Sequence, residues 1–145
     1  KKAIVSVKSQ TLEKSQSIDY QVTDEPQFKT TITNPNNVDY NQNFNIIIDL
    51  EKTSFSIPKN LEIKLNGPQC THTWTISELT DTNSLSLELE KIKLSKTNKF
   101  TIDYTWEDEN NNNYDLQEEI TITANSNNFK ESVVMFFNSI INFFD

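Results

Sequence analysis

Residues 43–51 read NFNIIIDLE, and the fold turns on how this run is read. Phe44, Ile46, Ile48 and Leu50 fall on one side of an extended chain, while Asn45, Asp49 and Glu51 fall on the other. Only Ile47 breaks the alternation. A period of two is the signature of a strand whose neighbours shelter one face and leave the other in water.

The same period recurs on both sides. Before it come AIVSVK (Ala3, Val5, Val7), SIDYQV (Ile18, Tyr20, Val22) and QFKTTIT (Phe28, Thr30, Ile32). After it come LEIKL (Leu61, Ile63, Leu65), TWTI (Trp74, Ile76) and SLSLELE (Leu85, Leu87, Leu89). KFTIDYTW (Phe100, Ile102, Tyr104, Trp106) and EEITITA (Ile120, Ile122) complete the series. TDEP, NPNN, NGPQ, TDTN and DENNNN punctuate it as turns. About nine short strands at this spacing predict a mainly β, two-sheet antiparallel sandwich over residues 1–128. No helical period lies between the strands, which excludes a parallel α/β arrangement.

Composition narrows the function classes. The 145 residues carry thirteen Lys, no Arg and twenty-one Asp plus Glu, for a formal charge of -8. Binding nucleic acid requires a dense positive surface, and reading bases favours Arg. Both are lacking, so no nucleic-acid partner is expected, and anionic lipid headgroups are disfavoured for the same electrostatic reason. Gly67 is the sole glycine against nineteen Asn, so Asn and Asp must supply the left-handed turn positions. A phosphate-cradling Gly-rich loop is impossible. No N-x-[ST] glycosylation acceptor occurs. KKAIVSV is too short and too alternating for a secretory leader, so an exported protein would be a mature form or a fragment.

In this setting FKTTITNPNNVDY, running into NFNIIIDLEKTSFSIP, resembles the first half of immunoglobulin-like domains of bacterial and archaeal cell-surface proteins. IKLSKTNKFTIDYTWEDENNNNYDLQEEITIT resembles their closing hairpin. The resemblance spans roughly residues 28–123 and is one of alternation and turns. Asn98 and the run Asn110 to Asn113 stand where that family commonly carries glycine. The resemblance implies an immunoglobulin-like β-sandwich, an extracellular or cell-surface location, and a role in adhesion, spacing or surface assembly. It implies no catalytic residue.

Cys70 and His72 offer two ligands where a structural zinc site needs four, and a lone Cys forms no intrachain disulfide. Asp108, Asn110, Asn112, Tyr114 and Glu119 match positions of a calcium loop, but Asn113 replaces the required Gly and the flanks read as strands, which favours a solvated hairpin tip. Lys8, Asp103 and Asn125 suit the amide crosslink of some Gram-positive surface domains by analogy alone. With one His and no acid to hold it, a Ser-His-Asp device is absent. Glu107 with Asp108, and Glu118 with Glu119, are sequence neighbours and face opposite ways on a strand. The expectation is a non-enzyme with no cofactor and no resident metal.

ESVVMFFNSIINFFD, residues 131–145, breaks the alternation. At about 100° per residue, Val133, Val134, Phe136, Phe137, Ile140, Ile141, Phe143 and Phe144 fill an arc of about 180°. Glu131, Ser132, Asn138, Ser139, Asn142 and Asp145 fill the rest, and Met135 falls among them. Asn128 and Glu131 have the spacing of a capping box. This predicts an amphipathic helix over 129–145. Fully buried, eight such side chains are worth roughly 12–24 kcal/mol, as much as or more than the roughly 5–15 kcal/mol net stability of a domain. The stripe is short of the roughly 20 apolar residues that span a bilayer. Lys130 is its only cation, unlike helices that lie on anionic lipid.

The stripe therefore needs protein cover: the chain's own sandwich, or a neighbouring copy in a head-to-tail contact. A truncated membrane anchor is the third alternative, and membrane contact is expected only through this helix. AIVSVK could complete its own sheet or the edge of the next subunit. The expected function is a secreted or surface structural or adhesive subunit that self-assembles into a filament, pilus or surface layer with copies of itself or another surface protein. The alternative is a monomeric extracellular ligand-binding module, for carbohydrate for instance. Against it, Trp74, Tyr104 and Trp106 share inward registers, leaving only Tyr40 and Tyr114 at loops.

Overall fold

The computed structural model describes residues 2–8, 13–19, 24–90 and 94–144, with side chains for 15–17, 24–90 and 94–141. Tyr20, Val22 and Asp145 lie outside the described residues, as do the side chains of Ala3, Val5, Val7, Lys8, Ile18, Phe143 and Phe144.

Two sheets face each other. The larger has five strands in the order β4(Asn37–Asp39), β10(Asn113–Asn125), β9(Thr97–Glu107), β6(Lys59–Gly67), β7(Cys70–Glu78). The smaller orders β3(Phe28–Thr33), β5(Phe44–Lys52), β8(Thr82–Leu89). In the smaller sheet, Phe44, Ile46, Ile48 and Leu50 of β5 all point inward and are buried, as the alternation of NFNIIIDLE predicts. Opposite them lie Leu61, Ile63 and Leu65 of β6 and Phe100, Ile102 and Tyr104 of β9, each fully buried. Pairing of Ile63 with Tyr104 and of Leu65 with Ile102 keeps those inward faces in step across the ladder. Aromatic rings close both ends of the core, with Phe44 edge-on to Phe100 at 6.3 Å and Phe28 edge-on to Trp106 at 4.8 Å.

Three features depart from the sequence reading. Asn37–Asp39 forms an additional short strand, parallel to β10 through Asn37 opposite Thr123, so the sandwich carries one parallel pairing among antiparallel ones. Only Val38 points inward there, too little to register as a period. β10 begins at Asn113, well before EEITITA, because it pairs with β9 right up to Glu107 and stacks Tyr114 on Trp106 at 5.8 Å. Finally, β1(Lys2–Lys8) completes no sandwich sheet: it pairs along its whole length with β2(Glu13–Asp19) in a two-stranded sheet of their own.

Turns behave as a glycine-poor chain requires. Of the four described residues with positive φ, three are Asn (Asn41, Asn60 and Asn111) and the fourth, Gln69, follows Pro68 in the two-residue β6–β7 turn. Asn98 is not among them. It is buried at the start of β9, where Nδ2 donates to the carbonyls of Ser95 (2.7 Å) and Ile122 (3.1 Å). Its Oδ1 accepts from the Ser95 backbone N–H (2.8 Å) and hydroxyl (3.1 Å). Asn98 is a polar bracket holding the incoming loop to β10, and not a stand-in for glycine.

Candidate functional site

Glu131 and Asn128 start α1(Phe129–Phe144) as a capping box would. Asn128 Oδ1 accepts the Glu131 N–H at 3.0 Å, and the Glu131 carboxylate reaches back to the N–H of Asn127 at 2.7 Å. The helix then lies against the end of the sandwich formed by residues 94–98 and the C-terminal part of β10. Two side chains seat it. Met135 is 4% exposed and joins the core, and Asn138, also 4% exposed, donates to the Leu94 carbonyl at 3.0 Å. A hydroxyl contact between Ser126 and Ser132 at 2.6 Å ties the first turn to the end of β10. Between these points a cleft of about 540 Å³ remains under the helix, bordered by Lys96, Ala124, Met135 and Ser139.

The side that meets the sandwich is therefore the polar arc, with Met135, misplaced on the wheel, as its anchor. This overturns the intramolecular alternative, in which the apolar stripe plugs its own sandwich. That stripe faces outward: Phe136 is 63% exposed, Phe137 58%, Ile141 50% and Ile140 43%, with Val133 and Val134 at 36%. Phe129, 84% exposed, extends the same face toward the helix start. Phe136 and Phe137 touch edge to face at 5.9 Å. Phe143 and Phe144 belong to the helix by backbone alone. No described helix is long and apolar enough to cross a membrane.

The other sequence candidates do not converge. Asp108 turns the β9–β10 hairpin by itself: Oδ1 accepts the N–H groups of Asn110 (2.7 Å) and Asn112 (2.9 Å), and Oδ2 the Asn112 amide (2.7 Å). These donors, led by the Asn112 side chain, hold its carboxyl below the usual range. Glu119, opposite Thr101 on the ladder, instead pairs with Lys99 at 3.0 Å, so the calcium-loop residues are spread along a hairpin. Asp103 accepts from the amides of Asn66 and Gln117 on the outer face of the larger sheet. Gln117 is eight residues along β10 from Asn125, about 26 Å of strand, which separates the crosslink candidates. Cys70 is half-buried, its thiol pushed up by burial, and His72 stands edge-on to Trp74 at 4.4 Å.

Glu118 and Glu119 do face opposite ways, but Glu118 has a use that sequence reasoning missed. Its carboxylate accepts from the hydroxyls of Tyr104 (2.9 Å) and Thr30 (2.7 Å), linking β10, β9 and β3 across the two sheets. Burial first, then the bond to Glu118 and its charge, drive the Tyr104 phenol far above its ordinary value of 10.0. Tyr40 and Tyr114 are half-buried, not loop-exposed, and Trp106 is held by its indole N–H donating to Pro26 O at 2.9 Å.

No family model matches the chain, and no curated protein matches it in sequence. Among solved structures, it is similar to a cohesin module from a family 33 glycoside hydrolase of Clostridium perfringens (TM-score 0.51, 13% identity, covering 68% of this chain and 97% of that one). It is likewise similar to a CARDB domain of a Pyrococcus furiosus protein, solved in complex with di-metal ions (TM-score 0.52, 16% identity, 74% and 100%). The fold is immunoglobulin-like. At such identities the likeness extends to the immunoglobulin-like architecture and not to any neighbour's ligand.

Proposed function

We propose that this immunoglobulin-like domain is an extracellular or cell-surface structural module, non-catalytic, that associates with further copies or with another surface protein through the outward face of α1. It would serve as a structural building block of a surface assembly. The observation that carries the reading is the apolar stripe of Val133, Val134, Phe136, Phe137, Ile140 and Ile141, exposed on a helix whose opposite side is pinned to the domain. A flexible tail could hide such residues by collapsing onto itself, whereas a helix seated through Met135 and Asn138 presents them to a neighbour. The likeness in fold to a cohesin module and to a CARDB domain supports the extracellular setting.

The test is the size of the intact protein by multi-angle light scattering across a concentration series. Self-association lost on Phe136→Glu with Ile140→Glu, at unchanged circular dichroism, is expected. An intact chain that stays monomeric at every concentration, and captures no surface-protein partner, overturns the reading.

A further inference from the structure

Resting on that reading, we infer that the occupant of the stripe is the same stripe of a second copy, packed antiparallel across a two-fold axis, so that the unit closes at two. A head-to-tail contact requires a different apolar patch elsewhere on the surface to receive the helix. Among the described residues outside α1, the exposed large hydrophobic side chains are Phe55 and Leu116, one on a loop and one on β10. Neither makes a patch. Among the described side chains, the apolar surface that matches the stripe is the stripe itself, which suits an isologous interface.

Area, spacing and charge agree with this. Taking about 200 Å² for a whole phenylalanine and less for isoleucine and valine, the exposed fractions sum to on the order of 600 Å² on one face. Two such faces bury up to about 1,200 Å², the lower edge of the range of specific interfaces and above crystal-contact size. Phe129, Val133, Phe137 and Ile140 run along the middle of the face at steps of four, four and three, the spacing of a helix–helix seam. Phe137 sits near its centre.

The helix has Lys130 on its apolar arc and Glu131 on its polar arc in the first turn, and no basic residue in its last, so a partner meets Lys130 while the C-terminal turn has no cation of its own. Antiparallel packing brings Lys130 of each copy to that end of the other. A parallel pair would set the two Lys130 side chains together and leave both C-terminal ends uncompensated. A lipid surface is the poorer occupant, because a chain of charge -8 with a single Lys on this helix is repelled by anionic headgroups.

The experiment uses single cysteines in the full chain on a Cys70→Ser background. Under mild oxidation Phe137→Cys is expected to form a disulfide dimer with itself. Val133→Cys is expected to cross-link more than tenfold faster with Ile141→Cys than with itself, and sedimentation of the Cys70→Ser chain should show mass ending at the dimer. Because Phe137, Val133 and Ile141 are exposed in the single chain, melting temperatures of these variants, taken in protein dilute enough to be monomeric, should match the parent and exclude misfolding as the cause. Equal self-reaction of Val133→Cys, or mass that climbs past the dimer with concentration, overturns the two-fold arrangement while leaving self-association intact. A strictly monomeric chain that captures another surface protein overturns this inference alone, whereas one that also captures none, or that partitions onto zwitterionic vesicles instead of pairing, defeats the reading beneath it as well.

Discussion

Replacing Asn98 with alanine would remove four hydrogen bonds from a buried site, leaving the Ser95 N–H and the Ser95 and Ile122 carbonyls to find other partners. Each buried polar group left unpaired costs about 1–3 kcal/mol, so Asn98→Ala should lose roughly 2–4 kcal/mol in urea unfolding. If Asn98 merely substituted for glycine, Asn98→Gly would be neutral, and it is expected to cost about as much as alanine. Gly67 is constrained differently: the Phe100 ring lies where its Cβ would go, so Gly67→Ala must displace a fully buried ring. Overpacking of this kind costs about 1–3 kcal/mol, read as a lower melting temperature. The sole glycine is thus kept for close approach, while Asn41, Asn60 and Asn111 take the left-handed turns. That division was half legible: nineteen Asn against one Gly says who makes the turns, but nothing in sequence says that Phe100 lies on Gly67.

Asp24 adds a pH dependence at the same scale. Its carboxylate accepts the N–H groups of Phe55 (2.8 Å) and Ser56 (2.7 Å), and these bonds, Phe55's first, hold its carboxyl below the ordinary 3.8. A depressed pKa stabilises the fold above the unfolded value and is lost as pH falls through the folded one. The loop of residues 53–56 should therefore loosen below about pH 4. Asp24→Asn should flatten the acid side of the melting-temperature profile, and a profile identical to the parent's would remove Asp24 from the account.

At the scale of elements, the helix and the sandwich are coupled through few contacts, and the wheel could not reveal which. Amphipathicity identifies the apolar arc of α1, but whether that arc meets its own domain depends on what the domain offers. Here the sandwich end is already closed by Leu94, Ala124 and Ile122, all buried, and it accepts only Met135 and the Asn138 amide. The lone apolar residue in the polar arc was the legible sign of the docking side. β4 was invisible because a strand with one inward residue has no period. The expected consequence is that deleting residues 129–145 costs the burial of Met135 and the hydrogen bonds of Asn138 to Leu94 and of Ser132 to Ser126, about 2–4 kcal/mol. Such a truncated chain should stay folded with a lower melting temperature and remain monomeric. Global unfolding would mean that the helix supports the core far more than these contacts imply.

At the scale of the whole molecule, the two-sheet architecture was readable because its core-facing residues keep strict alternation over long strands such as β5 and β9. The outward stripe sets apolar attraction between copies against their like charge, -8 on each chain. The stripe itself carries no acid between Ser132 and Ile141, so repulsion acts from the sandwich surfaces around it and over longer distances. Sodium chloride shortens that range, from about 30 Å at 0.01 M to about 8 Å at 0.15 M, and leaves apolar contact largely untouched. Lys130 against a partner's helix end works the other way, but it is one cation against eight net negative charges. Self-association should therefore tighten severalfold as salt rises over this interval, measured as the dimer dissociation constant by sedimentation equilibrium. Association that weakens with salt would mean that ion pairs, and not Phe136, Phe137, Ile140 and Ile141, hold the copies together.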